Sequence, residues 1–360
     1  MPDDGDLTLT VNSQRLNGWT SVRVTAGVER CPRDFEIGMT ERYPGEFSSV
    51  IVRPGDPCEV RIGGDLVVTG YVDRFMPVLD AGQHAIQVAG RGTCGDLVDC
   101  AAQWPSNQVV NATILSLATK LAAPYGIQVE AIGDMGEPVP QINIIWGETA
   151  YSVIERVARY EAILVYESPE GKLVLAPIGS ASHASGFAQG KNVQRAAPFF
   201  SCDQRYSEYV VRTLAFDLND IAGTGDILET VVDDAMAALK RRDGSPRERV
   251  RYIIAEQGDY YSWPITKKRG QWEAARRAGR SFRVELTADS WRDSAGKLWT
   301  PNQFAQVELP ALKLPSVNWL IGEVSFIRDA QGTRADVTLM PPDAFKPEPF
   351  LLQPLLPDVQ

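Results

Sequence analysis

Histidine is nearly missing: only His84 and His183 occur in 360 residues. That scarcity removes most of the side chains from which metal centres and proton relays are built. Ser182 and His183 are neighbours in sequence and so cannot face each other as nucleophile and base, and neither GxSxG nor HExxH occurs. Cysteine is sparse as well. Cys31, Cys58, Cys94, Cys100 and Cys202 form an odd, widely spaced set without a CxxC pair, which signals neither a disulfide framework nor a zinc site; reduced, mostly buried thiols are the expectation. No apolar run approaches the roughly 18 residues that mark a membrane span. The opening Met1-Pro2-Asp3-Asp4-Gly5-Asp6 is acidic where a secretory leader would be basic and then apolar. The expectation is a soluble chain made in a cytoplasm, with no membrane insertion. A basic excess is also lacking: the formal charge is −10 and the sequence pI about 4.9. Capture of nucleic acid by phosphate neutralisation is thereby disfavoured, although an acidic wall would let DNA slide past without sticking.

What is present is a long, turn-rich, β-forming chain. Its length allows two to four domains, since single cores stop growing near roughly 250 to 300 residues. Gly and Pro contribute 30 and 24 residues, enough to punctuate many short elements. From Leu7 to Val88 apolar and polar residues alternate at Leu7, Leu9 and Val11, at Val22 and Val24, at Val60 and Ile62, and at Ile86 and Val88, the pattern of half-buried antiparallel strands. The period then lengthens. Asn111 is placed to cap a helix with Ile114, Leu117, Ala118 and Leu121 on one face, ending at Pro124 to Gly126. A second helix from about Thr149 to Tyr160 precedes strands at Ala162–Glu167 and Lys172–Ala176. Ser180 to Lys191 reads as a linker. Strands return at Arg205–Phe216, Ser281–Thr287, Gln303–Leu309, Trp319–Ile327 and Ala335–Leu339, with short helices expected over Thr230–Leu239 and Gln271–Gly279.

The most informative feature is an internal echo. Pro54 to Ile62, Val67 to Val72, the turn at Asp80-Ala81-Gly82-Gln83 and Ala85 to Val88 recur in order as Pro301 to Leu309, Leu320 to Val324, the turn Asp329 to Thr333, and Ala335 to Leu339. Two similar barrels in one chain are the economical inference. The expected fold class is α+β and β-dominated: two related tube-type antiparallel β-barrels with smaller α+β insert domains. The expected divisions are a first barrel over 1–105, a small α+β domain over 106–180, a linker or start of the second barrel over 181–202, a second barrel over 203–345 with a helical insertion at about 220–279, and an extended Pro-rich arm over 346–360.

Two segments resemble the baseplate hub proteins of contractile-tailed, Mu-like and P2-like bacteriophages, a family related to the hub module of type VI secretion spikes. One runs from Val88 through Gly90-Arg91-Gly92 and Cys94-Gly95-Asp96-Leu97 to Ala102. The other runs from Ser290-Trp291-Arg292 through Trp299-Thr300-Pro301-Asn302 and on to Leu339-Met340-Pro341-Pro342-Asp343-Ala344-Phe345. With matching element order, the resemblance spans nearly the whole chain. It implies a non-enzymatic virion protein of the tail baseplate, assembled in the host cytoplasm. It further implies a homotrimer whose pseudo-sixfold ring joins the tail tube to a central spike, with tape measure and baseplate wedge proteins as further neighbours and transient passage of DNA through the lumen. The spike is expected to be a separate protein. No cofactor, metal or catalytic residue is implied.

Four features compete with a structural role. Gly90-Arg91-Gly92-Thr93-Cys94-Gly95 fits GxGxxG after a strand, but with no convincing helix at Gly95 and no βαβ crossover it reads as a turn leaving the barrel. The 46 acidic residues offer many pairs for glycoside hydrolysis, yet no pattern singles one out. Lys267, Lys268, Arg269, Arg276 and Arg277, with Arg280 and Arg283, form one basic cluster, read as a solvated helix face or a subunit contact. Trp291 and Trp299 fall at strand edges, where aromatics bury at interfaces, and Phe350, Leu351 and Leu352 give the C-terminal arm an apolar surface that a neighbour could cover. Leaving aside Arg280 and Arg283, these residues are the candidate partner and subunit interface; the rival reading is a tail-associated carbohydrate-binding or peptidoglycan-degrading protein.

Overall fold

A computed structural model describes residues 6–40, 52–79, 84–136, 138–160, 162–179, 181–213, 227–255 and 263–347. The alternating N-terminal stretch becomes seven strands: β1 (Leu7–Val11), β2 (Gln14–Leu16), β3 (Ser21–Gly27), β4 (Arg30–Thr40), β5 (Pro57–Ile62), β6 (Asp65–Leu79) and β7 (His84–Gly92). Period-two spacing turns Leu9, Val11, Val22, Val24, Val60 and Ile62 into one core. Strand β4 is an addition to the expected set. Only Phe35 and Ile37 alternate with acids there, too short a signal to stand out.

An α+β unit with its own core follows: α1 (Gly95–Asp99), β8 (Gln108–Ala112), α2 (Ile114–Ala122), β9 (Val129–Ala131), β10 (Val139–Asn143), α3 (Ala150–Tyr160), β11 (Leu164–Glu167) and β12 (Leu173–Ala176). Helix α2 starts from Thr113, whose hydroxyl accepts the Ser116 N–H at 3.1 Å. The expected cap, Asn111, lies in β8 with φ of 52°, because Asn tolerates the left-handed region that a local strand distortion requires. Both helices bury the apolar stripes their 3.6-residue spacing defines, including Leu117 and Leu121 of α2 and Val153, Ile154 and Val157 of α3.

The remaining elements are β13 (Ala181–Ser182), β14 (Phe187–Ala188), β15 (Val193–Phe200), β16 (Glu208–Thr213), β17 (Ile227–Val232), α4 (Asp234–Ala237), β18 (Val250–Ala255), α5 (Trp263–Arg280), β19 (Phe282–Ala288), β20 (Gln303–Leu309), β21 (Leu314–Asp329) and β22 (Gly332–Met340). The expected linker at 180–191 is tied down instead: β13 and β14 run parallel to β20, and Phe187 is buried against Trp299. The helix expected over Thr230–Leu239 shrinks to the four-residue α4, because the β-branched, stiff run Thr230-Val231-Val232 closes strand β17 instead. Strands β17, β16 and β18 form a separate three-stranded sheet, and α5 is twice the expected length. Most of the C-terminal arm, beyond Pro347, lies outside the described residues.

The echo survives as topology. Strand order β3-β4-β7-β6-β5 is repeated as β15-β19-β22-β21-β20, every neighbouring pair antiparallel. The repeated three-strand meander has strands of 6, 15 and 9 residues in the first copy and 7, 16 and 9 in the second. The expectation of two separately closed barrels needs correction. The two repeats belong to one 14-stranded sheet, joined where β21 pairs antiparallel with β3, and among the described residues no sheet closes on itself. The physical reason is the length of β21. Its first half pairs with β20, which leaves the same side of its second half open to β3.

One buried carboxylate fixes the α+β unit to this sheet. Glu167, at the end of β11, accepts the backbone N–H groups of Arg33 and Cys94, each at 2.8 Å. Arg33 returns two bonds, from Nε to the Glu167 carbonyl at 2.9 Å and from Nη1 to the Val67 carbonyl at 3.1 Å. Burial pushes the Glu167 pKa up against these donors and the Arg33 pKa down, the expected cost of desolvating both charges. Gly92 must be glycine here, because a Cβ would run into the Glu167 carboxylate. Glu167→Ala leaves two buried amides without an acceptor and the buried Arg33, whose bonds go to main-chain carbonyls, without its countercharge, and is expected to cost about 3 to 5 kcal/mol in chemical denaturation. A loss below about 1 kcal/mol, the scale of an exposed pair, would contradict this assignment.

Candidate assembly interface

The sheet has two chemically different faces. One packs the core. The other carries the residues in between, such as Arg23, Asp34 and Glu36, Glu285, Glu323 and Asp336. Across the joint between repeats, Arg30 Nε donates to Glu323 at 2.9 Å and the hydroxyls of Thr25 and Ser325 meet at 3.0 Å. Burial opposes the Arg30 charge, but Glu323 and Asp34 overcome it and raise its pKa. Arg23 lies 3.6 Å from Glu36, and Thr287 donates to Asp336 at 2.7 Å. Register sets Arg23, Arg30, Arg74, Arg91, Arg195, Arg283 and Arg334 on the same face as the carboxylates Asp34, Glu36, Glu285, Glu323, Asp329 and Asp336. The result is a broad hydrophilic wall, close to charge balance and laced by ion pairs.

The edges of this sheet are uneven. Strand β3 is paired on both sides, with β4 and β21. Among the described residues its counterpart in the second repeat, β15, pairs with β19 alone apart from an isolated bridge at Val193. Phe199 and Phe200 of β15 are each 48% exposed. The counterpart of β21 is β6. Its first half pairs with β5, but among the described residues no strand pairs with that side of Asp73 to Leu79, and Val78 and Leu79 are exposed. The chain therefore uses its joint once internally and presents the two halves of the same joint at opposite ends.

The residues singled out from sequence are placed as follows. Trp291 and Trp299 are core positions: Trp291 donates its indole N–H to the Arg334 carbonyl at 2.7 Å, and Trp299 donates to the Ser290 carbonyl at 2.9 Å. Both are almost wholly covered by the chain itself, so neither is available to a partner. The basic residues do lie together on α5. Lys267 and Lys268 are exposed, Arg269 and Arg276 stack on Trp272, and Arg276 and Arg280 converge on Glu29 at 2.8 and 2.5 Å. Burial, then the neighbouring Arg280, lowers the Arg276 pKa. Arg277 pairs at 2.6 Å with Glu273, which also holds Arg251 at 3.0 Å. Much of the cluster is thus spent within the chain. Phe350, Leu351 and Leu352 lie outside the described residues. A five-residue helix, α1, does begin at Gly95, correcting the expectation of none, but the Cys94 amide of its loop holds Glu167 rather than a phosphate.

Sequence reasoning missed one constellation. His183 Nδ1 lies 3.0 Å from the Asp293 carboxylate, Nε2 accepts the Thr300 N–H at 3.1 Å, and both acidic and imidazole side chains are essentially unexposed. No nucleophile accompanies them: Asp293 is otherwise occupied by the amides of Ala184, Ala295 and Lys297. The pair pins β13 to the loop before β20. Among the described residues no group of three or more His, Cys, Asp or Glu side chains is arranged to hold a metal ion. All five cysteines are free thiols, and burial, helped by Asp73, pushes Cys58 up to about 12.

Comparison with known proteins follows the same divisions. Residues 6–92 match a family model described as Mu phage baseplate assembly protein GpP-like, N-terminal; residues 94–177 match Baseplate hub protein gp44-like, second domain; and residues 263–348 match Mu phage baseplate assembly protein GpP, fourth domain. Baseplate hub protein gp44 of Escherichia phage Mu is 29% identical over 352 residues, covering 94% of this chain and 88% of that protein. The 43 kDa tail protein of prophage MuSo2 from Shewanella oneidensis is 31% identical with a TM-score of 0.83, over 94% of this chain and 99% of its own. The tail protein of Neisseria meningitidis MC58, at 20% identity, shares the fold with a TM-score of 0.77, over 96% of this chain and 99% of its own.

The His183 site gives a pH signature. Neutral imidazole satisfies both contacts, whereas a proton on Nε2 would face the Thr300 N–H. Accordingly, burial lowers the His183 pKa from 6.5 despite Asp293. Between that lowered value and 6.5 the unfolded chain binds more protons than the folded one, so stability must fall as pH drops through this window. Denaturation midpoints are expected to decline from about pH 7 to about pH 5, and His183→Ala is expected to cost about 1 to 3 kcal/mol while flattening that decline. An unchanged slope in the variant would refute the assignment.

Proposed function

The chain belongs to the phage Mu-type baseplate hub family, and from that premise we propose that three copies form a pseudo-sixfold ring joining the tail tube to the central spike. The carrying observation is the repeated five-strand order with its single internal joint. A strand edge that presents unpaired N–H and C=O groups invites another strand. Here one end of the chain offers the open side of β6 and the other offers β15, the same two roles that β21 and β3 play inside the chain. Pairing β6 of one copy with β15 of the next repeats the joint head to tail, a heterologous contact that closes into a ring if the rotation permits. With two repeats per copy, three copies supply six equivalent units. Closure of the barrel thus belongs to the assembly and not to the single chain.

In such a ring the polar wall lines the lumen. With its arginines balanced by carboxylates, it offers no basic excess to hold phosphates, which suits transient passage of DNA. The role is mechanical: the family relatives are structural tail proteins, and the sealed His183–Asp293 pair is a pin, not a catalyst. The spike, the tail tube, and tape measure or wedge proteins are the proposed neighbours of the two ring faces.

Solution mass tests the ring. The wild-type chain is expected to sediment as a trimer in a concentration-dependent manner, and Phe199→Asp, on the exposed side of β15, is expected to give a folded monomer with an unchanged far-ultraviolet spectrum. A variant that assembles as well as the parent, or a parent that stays monomeric at every concentration and with spike present, would overturn the reading.

A further inference from the structure

The small sheet β17-β16-β18 has an outer face that none of the described residues covers. Its inner face is conventional: Tyr209, Val211, Val231 and Ile253 pack beneath Ala274 of α5. On the outer face Leu228, Val232, Tyr252 and Ile254 are 60%, 51%, 80% and 75% exposed. Strand register sets them in adjacent rows, Leu228 and Ile254 flanking Arg212, Thr230 and Tyr252 flanking Val210, and Val232 beside Glu208 and Val250. So large an apolar patch on a sheet is normally covered.

Its direction identifies what covers it. Helix α5 lies between this sheet and the chain's own α+β unit, lining with Glu29 and Phe345 a cleft of about 380 Å³ against Tyr151, Glu155 and Arg159. The outer face therefore points away from the chain's own α+β unit. The small sheet is inserted between the end of β15 and the start of β19, where Phe200 pairs with Phe282. The α+β unit leaves from the end of β7, beside the start of β4. Because β15 and β19 correspond to β3 and β4, both units stand at the same end of the strands, so in the ring they alternate around one level.

We propose that this outer face docks on the α+β unit of the next copy of the same chain. Charge favours that occupant. From Lys240 to Arg249, along the rim of the small sheet, five basic residues stand against Asp243 and Glu248, whereas residues 94–177 hold, besides the buried Glu167, nine acidic side chains against Lys120, Arg156, Arg159 and Lys172. Opposite charges across a rim steer association and fix register. The α+β unit also offers an apolar knob, Ile145 and Trp146, 68% and 88% exposed on the loop before α3. A projecting Trp in a desolvated apolar seat is a common anchor of protein interfaces.

This inference rests on the head-to-tail ring, and its test separates the two. Hydroxyl-radical footprinting of the full chain, as trimer and as the Phe199→Asp monomer, reads Tyr252 and Trp146 directly. Both are expected to be several-fold less reactive in the trimer. Tyr252→Glu and Trp146→Glu are each expected to weaken trimer association by at least about tenfold, and the double variant by little more than either alone, as contacting residues do. A trimer in which both residues stay as reactive as in the monomer overturns this contact and leaves the ring standing. Absence of any trimer from the wild-type chain overturns both.

Discussion

A strand must pair both of its backbone edges or expose a row of donors and acceptors, and that obligation organises this molecule. The β3–β21 joint satisfies it once. Six consecutive residue pairs, from Glu323 opposite Gly27 to Arg328 opposite Val22, join two repeats into one sheet. The polar side of the joint is reinforced by Arg30 with Glu323 and by Thr25 with Ser325, and the other side is filled by Val24, Ala26, Val324 and Phe326. Everything placed on the sheet inherits its orientation from this junction: the α+β unit through Glu167 and Arg33, the small sheet through β15 and β19, and the hydrophilic wall through period-two alternation.

A single chain cannot meet the obligation everywhere. Duplication of a five-strand module creates two copies of each edge, and an internal joint can consume only one pair. The surplus pair is a property of the topology and needs no special sequence. This explains why the molecule is an open sheet by itself. On α5, Arg276, Arg277 and Arg280 are spent within the chain, on Glu29, Glu273 and the Lys346 carbonyl, and hold the inserted unit in place.

Much of the fold was legible in the sequence, for identifiable reasons. Strands with clean alternation, such as Gln303 to Leu309, and helices with complete apolar stripes, such as α2 and α3, stand out because one periodicity dominates. The repeat was visible because turn chemistry at Asp80 to Gln83 and Asp329 to Thr333 brackets it. What stayed hidden depends on distant partners. The β3–β21 joint unites residues about 300 positions apart, and nothing local in either strand marks it. Trp291 and Trp299 looked like edge aromatics because their cover, Phe187 and Phe326, comes from remote strands. His183 sat in a Ser- and Ala-rich run whose order depends on Asp293. Exposed patches such as Tyr252 with Ile254 escaped notice because a strand with one buried residue in two reads the same whether its other face is wet or docked.

The most direct test of the central claim is a side-chain-resolution reconstruction of the assembled ring, in the tail tip or as purified trimer. In the proposed ring β6 of each copy runs antiparallel to β15 of the next, with backbone hydrogen bonds continuous around the circumference. A ring in which those two edges stay apart, face solvent, or are taken by a different protein would contradict it.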